Sequence, residues 1–499
     1  MNNNPIGYNY LKNFLNSQDI TLFPYYRQSY VTEKSSTKII QDQEKETYYY
    51  RKAYSVEDNI FAHIEFALKH EGFNLELLEK LFKTIPKNKV VEYIKTNKTN
   101  KSTRIIWFLY EWLLDIQLDI EDLPAIHYFN LLDIDKYFTT KPNKLKRYCI
   151  NENLLGNRDF CPFVRKTDFI KDYEARNLKV KADKIIEKYD PNIVMRAAHY
   201  LYAKETKSSS EIEREKPNKK KAARFMAALQ SVDSIYIFDK KELIELQNMV
   251  VEDIFSDKDY TDRQNYVGQT IGHIEKIHYI APKPSDNKIL MEGLMYSWRR
   301  MMKSNLSAIV IAAVISFGFV FIHPFSDGNG RIHRFLIHSI LSGTGFTPRK
   351  TIFPVSAAML ENMEEYDKAL ESFSNKLIPL IDYELNDNLE MTVYNETLPF
   401  YKYIDFTKLV EYLYKTIEHT IEHDFEQEIK FLVNYDKTKS EMEEIIAMPD
   451  RLVDLFIKVT TNNNGVLSSA KRKNHFNMLN DNQIKALEQV IKRNFFEQD

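Results

Sequence analysis

The densest concentration of reactive side chains lies in twelve residues, His323-Pro324-Phe325-Ser326-Asp327-Gly328-Asn329-Gly330-Arg331-Ile332-His333-Arg334. An imidazole titrates near neutrality, so His323 can take a proton from an attacking hydroxyl. Asp327 adds a hard oxygen ligand. One carboxylate with phosphate oxygens and water is the usual way to hold Mg²⁺. Gly328 and Gly330 flank Asn329, which lets successive backbone N–H groups turn inward as an anion nest. The nest opens onto a helix N-terminus, whose donors and dipole also favour phosphate. Arg331 and Arg334 lie three apart and so share one helix face. Guanidiniums grip phosphate oxygens in pairs. A base, a cation ligand, an oxyanion cradle and two cationic clamps together describe phosphoryl or nucleotidyl transfer.

Two plainer readings compete. One is a helix–turn–helix corner with capping glycines and arginines paired to surface acids. It would suit a bare Gly-Asn-Gly but not the whole string. The other is a metal site made by His323, His333 and His338. Their spacings of 10 and 5 do not place two imidazoles one helical turn apart.

Such a loop needs rigid flanks. The run 307–322 is very apolar yet shorter than the roughly 18 residues that span a bilayer, so it predicts a buried helix feeding the loop. A second helix is expected from Arg331 and another near 287–303. Before them, β-like pieces at 274–277 and 278–281 precede the turn signal PKPSD (282–286) and predict a small hairpin. Helical spacing marks 56–95 and 103–118, and the aromatic stretch TRIIWFLYEWLL (103–114) reads as a core helix. The N-terminal third is therefore expected to be mostly helical, with 137–168 irregular. Asp190-Pro191 predicts a helix start. Residues 204–222, polar and charged, are expected to be an exposed junction. The stretch 385–499 reads as helical, with 479–482 capping the last helix.

The chain has 499 residues, 43% of them hydrophobic and 28% charged, which excludes a largely disordered protein. With a net charge of −2, no global field points to nucleic acid or an anionic membrane, and nucleic acid and membrane are not expected partners. The short basic clusters at 219–221 and 471–476 read as solvated faces. Cys149 and Cys161 cannot make a disulfide framework. With no secretory leader in MNNNPIGYNYLKNFL, reduced thiols in a cytoplasmic protein are expected.

The twelve-residue string resembles the signature HPFx[D/E]GNGRxxR of the Fic (filamentation induced by cAMP) family at every defined position. RQNYVG (263–268) and HYIAPKPSDNKILMEGL (278–294) resemble that family's flap and following helix. TIFPVSAAMLENMEEYDKAL (351–370) resembles its closing helix. The resemblance implies an all-α, mainly helical core with a β-hairpin flap at 186–385, between helical regions at 1–185 and 386–499. It further implies a protein adenylyltransferase, moving AMP from ATP with Mg²⁺ onto a Ser, Thr or Tyr hydroxyl of a target protein or of itself. Carried over, His323 is the base and Asp327 holds Mg²⁺. Gly328, Asn329 with its side chain, and Gly330 cradle the α- and β-phosphates. Arg331 contacts the β-phosphate and Arg334 the γ-phosphate, while Phe325 anchors the loop. Tyr366 stands where relatives carry an aromatic near the nucleotide, although a core role suits it equally.

The resemblance also implies that an extended stretch of the target pairs with the flap, here about 272–282. Family members with an inhibitory helix carry [S/T]xxxE[G/N]. Ser209 and Glu213 fit that pattern, and Arg214 departs from it. Glu213 is then expected to pair with Arg334 and exclude the γ-phosphate. The Glu71-Gly72 pair is a weaker alternative because it lacks the hydroxyl residue. An inhibitory helix can also be held by a partner chain, so a homodimer is an allowed assembly. Other readings are a different donor, removal of AMP, or a non-catalytic interaction module. Gly330 stands where a phosphate-transferring variant carries Lys, which disfavours that variant.

Overall fold

A computed structural model describes residues 3–33, 36–42, 45–214, 219–231, 239–272 and 274–497. The architecture is mainly α with small sheets. Two compact units are each assembled from separated stretches of sequence. The first comprises 1–173, 235–344 and 362–414. The second comprises 174–234, 345–361 and 415–499.

In the first unit, helices Ile60–His70, Leu75–Thr84 and Lys101–Leu114 each begin at an asparagine. The side chains of Asn59, Asn74 and Asn100 accept a first-turn N–H, which satisfies donors the helix cannot. Lys101–Leu114 is buried around most of its circumference, with Trp107 fully enclosed. This is the core helix its composition predicts. The N-terminal third also holds a four-stranded sheet that the helical reading did not anticipate. Its spatial order is Asn4–Pro5, Arg27–Thr32, Glu46–Arg51 and Lys38–Gln41. The strand ETYYYR lacks the alternation that marks a half-buried strand. Residues 137–168 are irregular apart from short strands and turns.

The site rests on helix Ala308–Ile322, which is buried on nearly every side and so tolerates apolar residues all round. It packs between Pro284–Met302 and Asn329–Gly343. A Cβ at Gly318 would come within 2.8 Å of Leu294 Cδ1 and 3.1 Å of Phe160 Cζ. The bare backbone there lets the buried Phe160 ring reach the helix. The expected hairpin exists with different strands. The pieces at 274–277 and 278–281 are one strand, Ile274–Ile280, antiparallel to Tyr266–Ile271. PKPSD supplies Pro284 to the first turn of the next helix.

In the second unit, the Asp190 side chain accepts from Asn192 N at 2.8 Å and caps helix Pro191–Ile212. The exposed junction expected over 204–222 is corrected here. Through Ile212 the chain is helical, and Glu205, Thr206 and 208–210 are buried; residues 215–218 lie outside the described residues. These polar groups tolerate burial because they are bonded. Thr206 Oγ1 donates to Tyr202 O at 2.8 Å, and the Glu205 carboxylate accepts from Ser356 N at 2.8 Å and from its hydroxyl. The last helix begins with an Asn480–Gln483 capping box.

Cys149 and Cys161 are buried free thiols. Among the described residues, no helix is long and apolar enough to cross a membrane.

Candidate functional site

Helix Ala308–Ile322 ends at His323, whose backbone is left-handed (φ 52°, ψ 53°). His323 N still donates to Phe319 O at 2.9 Å, so the chain turns away without loosening the helix. The imidazole Nδ1 lies 3.1 Å from Val320 O. A carbonyl can only accept, so the neutral ring carries its proton on Nδ1 and its lone pair on Nε2. That is the tautomer a general base requires.

Below His323 the loop folds over its own side chains. Phe325 is buried between Phe319 and Tyr260, as an anchor should be. The Asn329 amide donates to Phe325 O at 2.7 Å and accepts from Phe325 N at 3.1 Å. Both its polar atoms thereby help to close the loop. Gly328 is left-handed (φ 88°), and an added Cβ would meet Val251 Cγ1 at 2.9 Å and Val250 Cγ2 at 3.2 Å. Conformation and space both demand glycine there. The helix Asn329–Gly343 starts two residues before the expected Arg331. By helix geometry the Asn329 and Gly330 N–H groups have no carbonyl one turn earlier.

Asp327 Oδ1 accepts from Gly328 N at 2.6 Å and pairs with the Arg331 guanidinium at 3.1 Å. Arg331 also donates to Val250 O at 2.6 Å. Arg331 and Arg334 are both buried on the motif helix. The Asp327 side chain stays 37% exposed. A partly open carboxylate paired with Arg331 is a chemistry that suits a cation shared with phosphate oxygens. Among the described residues no group of three or more His, Cys, Asp or Glu could hold a metal alone.

His333 is enclosed, with Phe317 at 4.6 Å between ring centroids. Burial pushes its pKa down to about 3, and the neighbouring Arg334 charge adds to the effect. Tyr366 is 5% exposed, 6.4 Å from the His333 ring and 6.0 Å from that of Tyr412.

Four residues outside the motif were not assigned roles from sequence, yet they hold the loop. Asn265 Nδ2 donates to His323 O at 3.1 Å and to Phe325 O at 2.8 Å. The Asp257 carboxylate accepts from Ser326 N at 2.9 Å and Ser326 Oγ at 3.2 Å. The fully buried Gln247 amide accepts from Asp257 N at 3.0 Å. It donates to Phe255 O at 3.0 Å and Asp327 O at 3.3 Å. Thr261 N donates to Pro324 O at 2.8 Å. Nothing in single-residue spacing signals them, because each acts on backbone atoms some 60 to 80 positions away.

The hairpin joins the site at its base. The Tyr279 hydroxyl donates to Phe321 O, and Tyr401 Oη donates to Ile280 O at 2.7 Å. Its tip is exposed, and its two strands form a sheet of their own. In the second unit, Ser209 is buried, while Glu213 is exposed at the C-cap of Pro191–Ile212. Arg214 follows with φ 55°. The 471–476 cluster lies on a mostly exposed short helix, with Arg472 paired to Asp481.

Comparison with known proteins matches residues 237–341 to the Fic/DOC family. "Protein adenylyltransferase Fic" of Drosophila mojavensis is 33% identical over 119 residues, covering 23% of this chain and 22% of that protein. The Drosophila melanogaster protein of the same name is 33% identical over 110 residues, covering 22% and 20%. The chain thus spans about a fifth of the length of these curated relatives. Among solved structures, a Fic-domain-containing signalling protein from Bacteroides thetaiotaomicron aligns with 17% identity and TM-score 0.37, covering 53% of this chain and 97% of that one. A Fic family protein from Desulfovibrio desulfuricans aligns with 17% identity and TM-score 0.36, covering 65% and 84%.

Proposed function

Residues 237–341 are a Fic/DOC-family domain, and from that premise we propose that the chain is a protein adenylyltransferase. It transfers the AMP moiety of ATP to a Ser, Thr or Tyr hydroxyl of a target protein and releases pyrophosphate. The observation that carries the reading is the His323 ring, held by Val320 O with its lone pair on Nε2, one tight loop ahead of two helix-borne arginines.

In this mechanism, His323 Nε2 accepts the target hydroxyl's proton as its oxygen attacks the α-phosphorus. The new P–O bond forms as the bond to the β-phosphate oxygen breaks, and that oxygen leaves as pyrophosphate. Gly328, Asn329 and Gly330 present the backbone to phosphate oxygens, and Arg331 and Arg334 offset the charge of the β- and γ-phosphates. Asp327 is the residue that would hold Mg²⁺, which supplies further charge neutralisation when bound. Its ion pair with Arg331 must then be shared with the cation. The hairpin would receive the target by strand pairing, through 266–280 rather than the narrower 272–282.

Regulation by Ser209 and Glu213 is the finer part of this proposal. It is supported by the helix ending at Glu213 and by the left-handed backbone at Arg214. That is the conformation glycine or asparagine adopts most readily, so Arg214 fills the family's small-residue position at some strain. Glu213→Gly should raise auto-modification and ATP affinity; unchanged values would remove Glu213 from this role. The overall test is incubation with α-labelled ATP, Mg²⁺ and lysate. Label should move to protein with the wild type and not with His323→Ala. Equal labelling by both would overturn the assignment.

A further inference from the structure

The hairpin and the His323 ring share a set of hydrogen bonds. The ring is aimed from an unusual backbone. His323 is left-handed, a conformation that a residue with a side chain holds only where its surroundings impose it. Both of its backbone polar groups are taken. Its N–H donates to Phe319 O at 2.9 Å, and its carbonyl accepts from Asn265 Nδ2 at 3.1 Å. The first bond belongs to the helix. The second comes from the residue immediately ahead of strand Tyr266–Ile271.

Asn265 reaches both sides of Pro324, which has no N–H of its own. An amide nitrogen carries two N–H groups. One serves His323 O and the other Phe325 O, at 2.8 Å. The Asn265 backbone is engaged as well. Its carbonyl accepts from Ala281 N at 3.0 Å, just beyond strand Ile274–Ile280, and so closes the base of the hairpin. Gln264 Nε2 braces the same point, donating to Asn265 O at 3.1 Å and to Ala281 O at 2.8 Å. One residue therefore sets both where the hairpin starts and how the loop bends at His323.

The returning strand adds a second link. The buried Tyr279 hydroxyl donates to Phe321 O, one of the last four carbonyls of its helix, which lack an N–H one turn on. Val320 O, the carbonyl before it, holds the imidazole Nδ1. The Tyr279 and His323 rings lie 6.5 Å apart between centroids.

We propose that Asn265, with Tyr279 as a second link, is a positioning residue that keeps the hairpin and the His323 ring in one frame. The role rests on the reading of His323 as the base. A base takes a proton only across hydrogen-bond distance, while the acceptor segment is seated on the hairpin. The register between the two passes through the Asn265 amide. Without it His323 relaxes from the left-handed conformation, and its ring leaves Val320 O. The phosphate-facing part of the loop keeps its own clamps at Asp257, Gln247 and Asn329, so nucleotide affinity should not follow.

The test compares the full chain with Asn265→Ala and Tyr279→Phe. Histidine labelled with ¹³C and ¹⁵N reports the ring tautomer by NMR, and the His323 signals are those missing from His323→Ala. The wild type should show a single neutral tautomer with the proton on Nδ1. Asn265→Ala should show mixed tautomers, and Tyr279→Phe a smaller change in the same direction. Transfer is then followed with α-labelled ATP, Mg²⁺ and lysate, with rates taken per folded molecule from circular dichroism. In Asn265→Ala the rate at saturating ATP should fall by about tenfold to a hundredfold, with the half-saturating ATP concentration unchanged. Should Asn265→Ala fail to fold, Tyr279→Phe decides by the same two readings. Mixed tautomers already in the wild type, an unaltered tautomer in the variants, or an undiminished rate would each overturn the proposal. The expected change of tautomer, in a protein that does not transfer AMP from ATP, would leave the positioning link standing and refute the enzymatic reading instead.

Discussion

The motif loop and the hairpin beside it are neighbours built on opposite rules. The loop between His323 and Gly328 is held at almost every backbone position by a side chain from elsewhere. Asn329, Asn265 and Asp257 bind its backbone, and Gln247 reaches Asp327 O. The hairpin is held at its base, through Tyr266, Tyr279 and Tyr401, and projects Ile271 and Ile274 into solvent. Chemistry on a phosphate needs groups fixed to within fractions of an ångström. Reception of a variable protein segment needs an accessible edge. Under the proposed function, rigidity sits where the reaction would occur and openness where the partner would arrive.

The first way to break that contrast is His323→Ala. AMP transfer should fall by about 10²–10⁴-fold, the usual contribution of a positioned base. Thermal unfolding should move little, because the ring's bond to Val320 O lies at the very end of the helix. Undiminished transfer, measured with α-labelled ATP, would show that the rigid loop is not where the chemistry occurs.

The interior behind the loop gives a second, pH-dependent effect. His333 is held neutral by burial, with its pKa near 3 against an ordinary value of 6.5. A depressed folded pKa means the unfolded chain binds the proton first. Its contribution is therefore present above about pH 6.5 and is lost progressively as pH falls toward 3. Replacing it with Phe should flatten the fall in unfolding temperature between pH 7 and 4, a difference on the order of a few kcal/mol. Parallel curves for the two proteins would show that His333 does not report on loop-side burial.

Asp257→Ala comes next. It leaves Ser326 N–H without its acceptor and should destabilise by about 1–3 kcal/mol, read from the urea midpoint. Transfer should also fall, while Asp257→Asn, which keeps an acceptor oxygen, should restore most of it. Loss of stability with no change in rate would mean the clamp supports the fold but does not position His323. The smallest effect belongs to the hairpin. Ile271→Ser with Ile274→Ser should stay within about 0.5 kcal/mol of the wild type, while modification of protein targets weakens. A large loss of stability would mean the hairpin is as integral to the fold as the loop.

Much of this was legible in the sequence, and the limits have physical causes. The motif's residue types suggest a base, a cation ligand and an anion nest, because each depends on residues close together along the chain. The apolar run 307–322 announced its own burial. Asn265, Asp257 and Gln247 were silent, since a side chain that binds distant backbone leaves no periodic trace. The bonds of the Asn329 amide to Phe325 leave no trace in residue type either. The hairpin's second strand was missed because YVGQTI is exposed nearly throughout and shows no alternation of burial. The four-stranded sheet near the N-terminus pairs Arg27–Thr32 in parallel with Glu46–Arg51, a contact that local pattern does not encode. Ser208, Ser209 and Ser210 suggested an exposed linker because composition counts polarity and cannot see hydrogen bonds inside a helix.

The central claim is that His323 directs a hydroxyl onto the α-phosphorus of ATP. Intact-protein mass spectrometry of the modified acceptor, after incubation with ATP and Mg²⁺, tests it most directly. The account predicts a gain of one adenylate per modified hydroxyl, absent with His323→Ala. A gain of a lone phosphate, or an adenylate that appears equally with the alanine variant, would contradict it.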